Sequence, residues 1–394
     1  MSNTLKLGNG KWATGKDTVL SFSDTNNNYK PLPFSFSRDT SATVINKDGL
    51  IETVGSGEPR IDFKDNTKGA LLLEPSRSNF IPNSNNLTTW NGAAMTRTFV
   101  DDLINPSSIL GGSKLTQTSS GGYAWLSRTF TGNETFSAFV KKDSSDFVRL
   151  YAANNTVYFN IVNGTIETEV GSDITDKSIV NYGNGWFRIS MSVNSTIASY
   201  VRIYPASSGS SASGTNSLFV YGCQVEQGSY ATSYIPTSGQ SGGVTRVQDL
   251  VVGIDTLQDL SLLGSNEGTW LVDMKDMFFE ITGTGVGSMY LYQDNTNQIE
   301  FVAKSNTTCK ITINNSTALD NIGGENKIAI SWDANGLVIY KNGVAAYTTS
   351  STEYSNPYTH LFLVRNTRQS KKQINNTQLY NTRLSNSELA ALTQ

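Results

Sequence analysis

The chain has 394 residues, long enough for roughly two or three domains with real cores. Only 16% of residues are charged and the formal net charge is -3, which argues against a nucleic-acid groove and against attraction to an anionic membrane surface. Low charge with adequate hydrophobic content argues against disorder, and 34 glycines beside 10% aromatics suit short strands and many turns.

In chain order, the start MSNTLKLGNGKW lacks the apolar stretch of a secretory signal. No run reaches the roughly 18 apolar residues of a membrane helix, so no membrane insertion is expected. Residues 1–78 are dense in turn signals (GNGK, DTNNN, KDG, SGEP, KDNTKG), with FSFS, TVI and LLLE as short strand candidates between them. They read as an extended N-terminal attachment segment that lays strands against something else. Trp12, amid glycines, reads as the exposed aromatic of a docking tail; pairing of this stretch with the first sandwich is the other reading.

Over 79–238 the alternation becomes regular. GYAWLSRTF, TFSAFVKK, FVRLYAA, TVYFNIV, GWFRISMSV, SYVRIYP and SLFVYGCQVE each fit one strand, which predicts a β-sandwich or jelly roll. Residues 239–249 read as a Gly/Ser linker. A second strand series fills 250–394: TWLVDMKDMFFEI, SMYLYQD, QIEFVAK, KITIN, KIAISWD, LVIYKNG, HLFLVRN and INNTQLYN. Within it, SWDANGLVIYKNGVAAY carries two Asn-Gly pairs, each predicting a tight type I′ hairpin turn, with Ile330 and Trp332 on one face. Ser385 and Glu388 have the S-x-x-E spacing of a capping box for one closing helix. The predicted fold is all-β: two tandem antiparallel β-sandwiches, jelly-roll and lectin-like, preceded by the extended segment.

The tail, KIAISWDANGLVIYKNGV followed by INNTQLYNTRLSNSELAAL, resembles a laminin-G-like, concanavalin A-like lectin domain over 250–394. The stretches FSRDTSATVINKDGLIETV, EPRIDF, KGALLLEPSRSNFIPNS, NYGNGWFRISMSV and VYGCQVEQGSYATSYIPTSG resemble bacteriophage virion and tail-fibre-like proteins with a carbohydrate-binding-module-like jelly roll. That resemblance implies a virion surface protein, made in the host cytoplasm, whose partners are other virion proteins and host or environmental polysaccharide. It also implies a homo-oligomer, a trimer if fibre-like.

Catalytic chemistry finds few candidates. His360 is the one histidine, without a G-x-S-x-G elbow or an activated-cysteine context, and reads as structural. One histidine with two distant cysteines, Cys223 and Cys309, does not make a zinc site; the thiols read as buried, in different domains. Glu167 and Glu169 share a strand face, as a glycosidase pair could, but two like charges beside an Asn-Gly turn also mark a solvated edge. Asp273 and Asp276 fall on opposite faces of one strand. No enzyme activity, cofactor or metal is expected from these residues.

A binding face is better supported. In the near-repeat FVRLYA and YVRIYP, Val148, Leu150, Val201 and Ile203 point inward, leaving Arg149, Tyr151, Arg202 and Tyr204 outward. The same alternation puts Trp186 and Arg188 outward, and sets Tyr123 and Trp125 on one face. Aromatic rings stack on the C–H side of a pyranose, and a guanidinium supplies fixed planar donors to its hydroxyls or carboxylates. Three readings of this face stand: a glycan site, a face covered by the chain or another subunit, and plain surface with Arg–Tyr pairs stacked on each other. The functional expectation is a phage surface protein, fibre or decoration, that adheres to glycans. Its alternative is a purely structural capsid-decorating or tail-assembly protein.

Overall fold

The structure is a computed structural model. It describes all residues except 1–3, 11, 21, 24–33, 253–265, 280–286, 294–296, 304–308, 321, 352–357, 359 and 364–369. The fold is all-β, made of antiparallel sandwich-like sheets, and among the described residues the one α-helix is Asn386–Leu392. The chain forms two units, one from 1–47, 54–75 and 247–394, the other from 48–53 and 76–246.

The first unit is built on the long strand Gly268–Phe279, whose consecutive Trp270, Leu271 and Val272 are buried on both of its faces. It lies between Asn326–Asp333 and Ser370–Tyr380 in an antiparallel sheet. A second sheet runs Ser316–Leu319, Cys309–Ile313, Asn297–Ala303, Gly287–Gln293 and His360–Phe362. Trp270, Val272 and Met274 of the first sheet share one core with Met289, Leu291, Ile299, Phe301 and Ile311 of the second. Trp270 meets Phe301 edge-on at 5.0 Å between ring centroids.

The N-terminal residues belong to this unit. Thr4–Gly8 pairs with Ser370–Tyr380, and Ala70–Leu73 pairs with the same strand further along. Val19 and Phe36 enter the core beside Val251. Strands of the expected attachment segment 1–78 are thus laid against the sheet of the C-terminal module. The reason lies in buried charge. Arg38 donates to Asp249 at 2.9 Å, Asp249 also bonds Arg60, and Arg60 donates to Glu74 at 2.8 Å, all four side chains shut away from solvent. The expected linker 239–249 is likewise shortened. Val244–Arg246 is a strand paired with Arg77–Asn79 in the second unit, and Arg246 and Asp249 are buried.

Of the two Asn-Gly pairs, Asn342–Gly343 forms the expected turn, with φ of 48° and 84° and Lys341 facing Val344. The other is displaced by one residue. Asp333 faces Gly336, so Ala334 and Asn335 make the loop and Gly336 opens the next strand at φ 123°. A Cβ on Gly336 would lie 2.0 Å from the Thr349 carbonyl oxygen, whereas one on Gly343 would meet the Gln394 side chain at 3.1 Å and the Ala390 carbonyl at an ordinary 3.9 Å. Gly343→Ala should therefore cost about 1 kcal/mol and Gly336→Ala more than about 2 kcal/mol in urea unfolding. Equal losses would contradict the displaced register.

Ile330, Trp332, Leu337 and Ile339 face the core. Val338 and Tyr340 face the other way, under Leu389 of the helix. This explains why LVIY is apolar on both faces. The expected capping box closes the helix start, with Ser385 and Glu388 each bonding the other's backbone N–H.

The second unit is a sandwich of two six-stranded antiparallel sheets. One runs Asn91–Ala93, Tyr123–Thr129, Ala198–Ala206, Phe147–Ala152, Asn155–Asn160, Thr165–Val170. The other runs Met95–Ile104, Leu110–Gln117, Ser217–Gln227, Gly132–Lys142, Trp186–Ser195, Ile174–Asn181. Val148, Leu150, Val201 and Ile203 from the first pack against Phe136, Ile189, Met191 and Val220 from the second, the inward set that alternation predicts.

Candidate functional site

The outward residues of the first of these sheets form two rows across its strands. Register places Trp125 opposite Arg202 and Arg202 opposite Tyr151. In the neighbouring row Arg149 stands opposite both Tyr204 and Tyr158. The structure thus gathers Tyr123, Trp125, Arg149, Tyr151, Arg202 and Tyr204 on one face.

Both guanidiniums are stacked among rings. Arg202 lies 4.4 Å from the centroid of Tyr151, 4.8 Å from Tyr123 and 4.9 Å from Tyr200. Arg149 lies 4.4 Å from Tyr204, 5.7 Å from Tyr158 and 6.0 Å from Tyr151. Tyr123 and Tyr204 are stacked at 4.7 Å, and Trp125 meets Tyr200 edge-on at 5.0 Å. Arg202 donates to the Tyr204 hydroxyl at 3.2 Å, and Arg149 to Thr156 Oγ1 at 3.1 Å. The described ion pairs of this unit, Arg77–Glu226, Lys114–Asp143, Arg128–Glu134, Lys142–Asp146 and Lys177–Glu169, leave out both arginines. The Nε–H of each is shielded and has no acceptor among the described residues.

Burial works against the Arg202 charge, but the Tyr204 hydroxyl and the surrounding phenols raise its pKa on balance. Burial raises the Tyr204 phenol, against the pull of Arg202 and Arg149. Both shifts favour a charged Arg202 beside a neutral Tyr204 phenol.

Part of the face is covered by the chain itself. The Ser/Gly-rich loop after Ala206 sets Ala212 against Tyr158 and Tyr204, leaving Tyr204 only 4% exposed. Gln117 holds the loop through the Ala212 carbonyl at 3.2 Å. Trp125, Arg149, Tyr151 and Arg202 remain half-buried and Tyr200 is exposed. The sequence reading overlooked Tyr200 and Tyr158, although both share the outward period, Tyr200 two residues before Arg202 and Tyr158 between inward Val157 and Phe159.

Trp186 and Arg188 are corrected. Their strand belongs to the opposite sheet, whose outer side is covered by other parts of the chain, and Trp186 is 1% exposed. Its indole N–H donates to the Ile104 carbonyl at 3.1 Å and its ring meets Tyr221. Arg188 lies 5.3 Å from the Phe139 ring and donates to Ser137 Oγ at 3.1 Å. The stretch SYATSYIPT supplies much of that cover, with Tyr230, Tyr234 and Ile235 all buried. Trp12 is corrected as well. It is half-buried against the core of the first unit rather than displayed on a tail.

Glu167 and Glu169 sit exposed on the edge strand Thr165–Val170, Glu169 paired with Lys177 and Glu167 accepting from Thr165 Oγ1. They line no cleft. The side chains of Asp276 and His360 lie outside the described residues. A polar cavity of about 140 Å³ in the first unit is lined by Asp62, Asp65, Asn66, Lys275, Glu325 and Asn375 among others. Lys275 bridges two of its carboxylates, 3.3 Å from Asp65 and 3.5 Å from Glu325. Behind it Asn375 donates to Asp273, whose carboxyl is raised by burial. Among the described residues no three His, Cys, Asp or Glu side chains are grouped to hold a metal ion, and no helix is long and apolar enough to cross a membrane. Cys223 and Cys309 are buried, lie in different units and form no disulfide, and burial pushes the Cys223 thiol far up.

No protein-family model matches this chain, and no curated protein does. Among solved structures it is similar to a sialidase of Trypanosoma rangeli, at 11% identity and a TM-score of 0.24. It is also similar to the same sialidase in complex with 2,3-difluorosialic acid as a covalent intermediate, at 10% identity and a TM-score of 0.26. Each match covers 95% of this chain and 65% of the sialidase chain, so this chain spans just under two thirds of the structures it matches. The expectation that the chain is no enzyme finds no support here: the solved structures found similar are sialidases. At these TM-scores the likeness carries no argument for an activity.

Proposed function

We propose that this chain is a phage virion surface protein, fibre or decoration, that adheres to host or environmental glycans through the Arg–aromatic face of its second unit. The observation that carries the reading is the cluster itself. Among the described residues Arg149 and Arg202 have no carboxylate partner, and they stack among Tyr123, Tyr151, Tyr200 and Tyr204, with Trp125 alongside. Rings offer apolar faces to sugar C–H groups, and guanidinium forks offer donors to sugar oxygens. The virion assignment is supported by the resemblance of FSRDTSATVINKDGLIETV and VYGCQVEQGSYATSYIPTSG to phage structural proteins. The first unit contributes a lectin-like sandwich for contact with other virion proteins. A homo-oligomer would raise weak single-site affinity by orders of magnitude through linked sites.

The test is a glycan array with capsular and mucin polysaccharides, read with multimerised protein beside a Trp125→Ala/Tyr151→Ala variant. Both side chains are half-exposed, so the variant should fold. Its binding should fall at least about tenfold, as loss of a stacking ring implies. If the wild type binds no glycan at all, the adhesive reading fails and a purely structural virion role replaces it.

A further inference from the structure

We infer that the glycan read by this face is acidic, a polysaccharide whose sugars carry carboxylates, and that Arg202 and Arg149 are the groups that recognise the carboxylate. This rests on the glycan reading above and goes beyond it by naming the chemical class. The argument begins from charge. The two guanidiniums flank the same two rings, Tyr151 and Tyr204, and no described carboxylate pairs with either. Elsewhere in the molecule three more deeply buried arginines are matched, Arg60 with Glu74 and Asp249, Arg38 with Asp249 and Arg77 with Glu226, whereas the buried Arg188 bonds Ser137 Oγ instead. An unmatched pair of like charges on a half-buried face repels itself, and a bound anion relieves that repulsion.

The donors are also incompletely used. A guanidinium has five N–H groups, and the bonds described for these two residues are one each, to Tyr204 and to Thr156. A carboxylate is the acceptor that fits a planar fork with two parallel bonds, and such charge-assisted bonds are roughly twice as strong as neutral ones. The rings select a sugar over an acidic peptide. Trp125, Arg202 and Tyr151 stand on three adjacent strands in one row, a span of about 10 Å. That is room for two linked sugar rings to stack on the aromatics with a carboxylate between them.

The experiment compares polygalacturonate fragments with the same fragments after reduction of their carboxyl groups, and with poly-L-glutamate, by calorimetry on the full chain. The wild type should bind polygalacturonate at least about tenfold more tightly than either. An Arg149→Gln/Arg202→Gln variant should lose that preference while keeping its weak binding to the reduced polymer. If the reduced polymer binds as well as the acid form, the acidic assignment is overturned and the glycan reading stands. If poly-L-glutamate binds as well as polygalacturonate, the face is a dock for acidic peptides and the assignment is again overturned. Binding of neither polymer, with only neutral glycans positive on the array, overturns the acidic class alone; an empty array overturns the glycan reading itself. Should the double variant melt early, Arg202→Lys keeps the charge and removes the fork. It should lose most of the preference, and full retention would overturn the role given to Arg202.

Discussion

Replacing Asp249 with asparagine is expected to destabilise the first unit by about 3–5 kcal/mol. Asp249 is the shared anion of a buried set: it bonds Arg38 and Arg60, and one of its oxygens also accepts the Glu74 backbone N–H at 2.8 Å. For Arg60, burial works against the charge, but Asp249 and Glu74 outweigh it and its pKa is raised. For Arg38, burial wins despite Asp249, with Arg60 adding repulsion, and the pKa is lowered. Asparagine keeps the shape and removes the charge, leaving two buried cations with one carboxylate between them. Removing one partner of a buried pair is far costlier than never having built it. The set also joins chain positions far apart, 38, 60, 74 and 249, so its loss should loosen the N-terminal strands from the sheet they complete. Urea unfolding, with amide exchange in Gly268–Phe279 as the reporter of this unit, measures the effect. Lys142→Ala, which breaks the exposed pair with Asp146, is the control and should cost less than about 1 kcal/mol. A loss for Asp249→Asn as small as the control's would remove this set from the account of why the N-terminus belongs to the C-terminal module.

Alternation was sufficient to place the inward residues of a strand. FVRLYA, YVRIYP and GWFRISMSV each became a strand with the inward residues expected. It failed for Met95–Ile104 and Ile174–Asn181, which read MTRTFVDDLI and ITDKSIVN. Both are edge strands of their sheet, so neither carries a full apolar face to read. Alternation could not say which strands share a sheet either. Arg188 and Arg202 follow the same local pattern, yet one strand pairs with Gly132–Lys142 and the other with Phe147–Ala152. The outward side of the first pairing is covered, and only the second leaves a partly open face. The partners of Arg38, Arg60 and Glu74 were invisible for a related reason. An ion pair separated by 189 or 211 positions leaves no local spacing to detect.

Lys372 gives the second large effect, and its sign follows from burial. The residue lies on Ser370–Tyr380 opposite Leu73, fully shielded, with its ammonium donating to the Leu363 carbonyl at 2.9 Å. Burial lowers its pKa from the ordinary 10.5 to about 7, against a smaller upward influence of Cys309. In the unfolded chain the lysine keeps its proton up to about pH 10. Between about pH 7 and pH 10 the unfolded state therefore holds a proton that the folded state lacks, and stability rises with pH across that window. Read downward, the contribution is full above the unfolded value and is lost as pH falls toward the folded one. Between pH 7 and pH 9 the wild type should gain about 2 kcal/mol relative to Lys372→Met, which has no proton to exchange. At pH 7 the methionine variant should be the more stable by roughly 1–3 kcal/mol. It escapes the cost of discharging the lysine, less the penalty for leaving the Leu363 carbonyl without its donor. Urea midpoints for both proteins at pH 7, 8 and 9 decide the matter, since titrations shared by the two cancel in the difference. Parallel curves would mean that Lys372 keeps its charge in the folded protein and that its surroundings, with the Leu363 carbonyl among them, solvate an ammonium as well as water does.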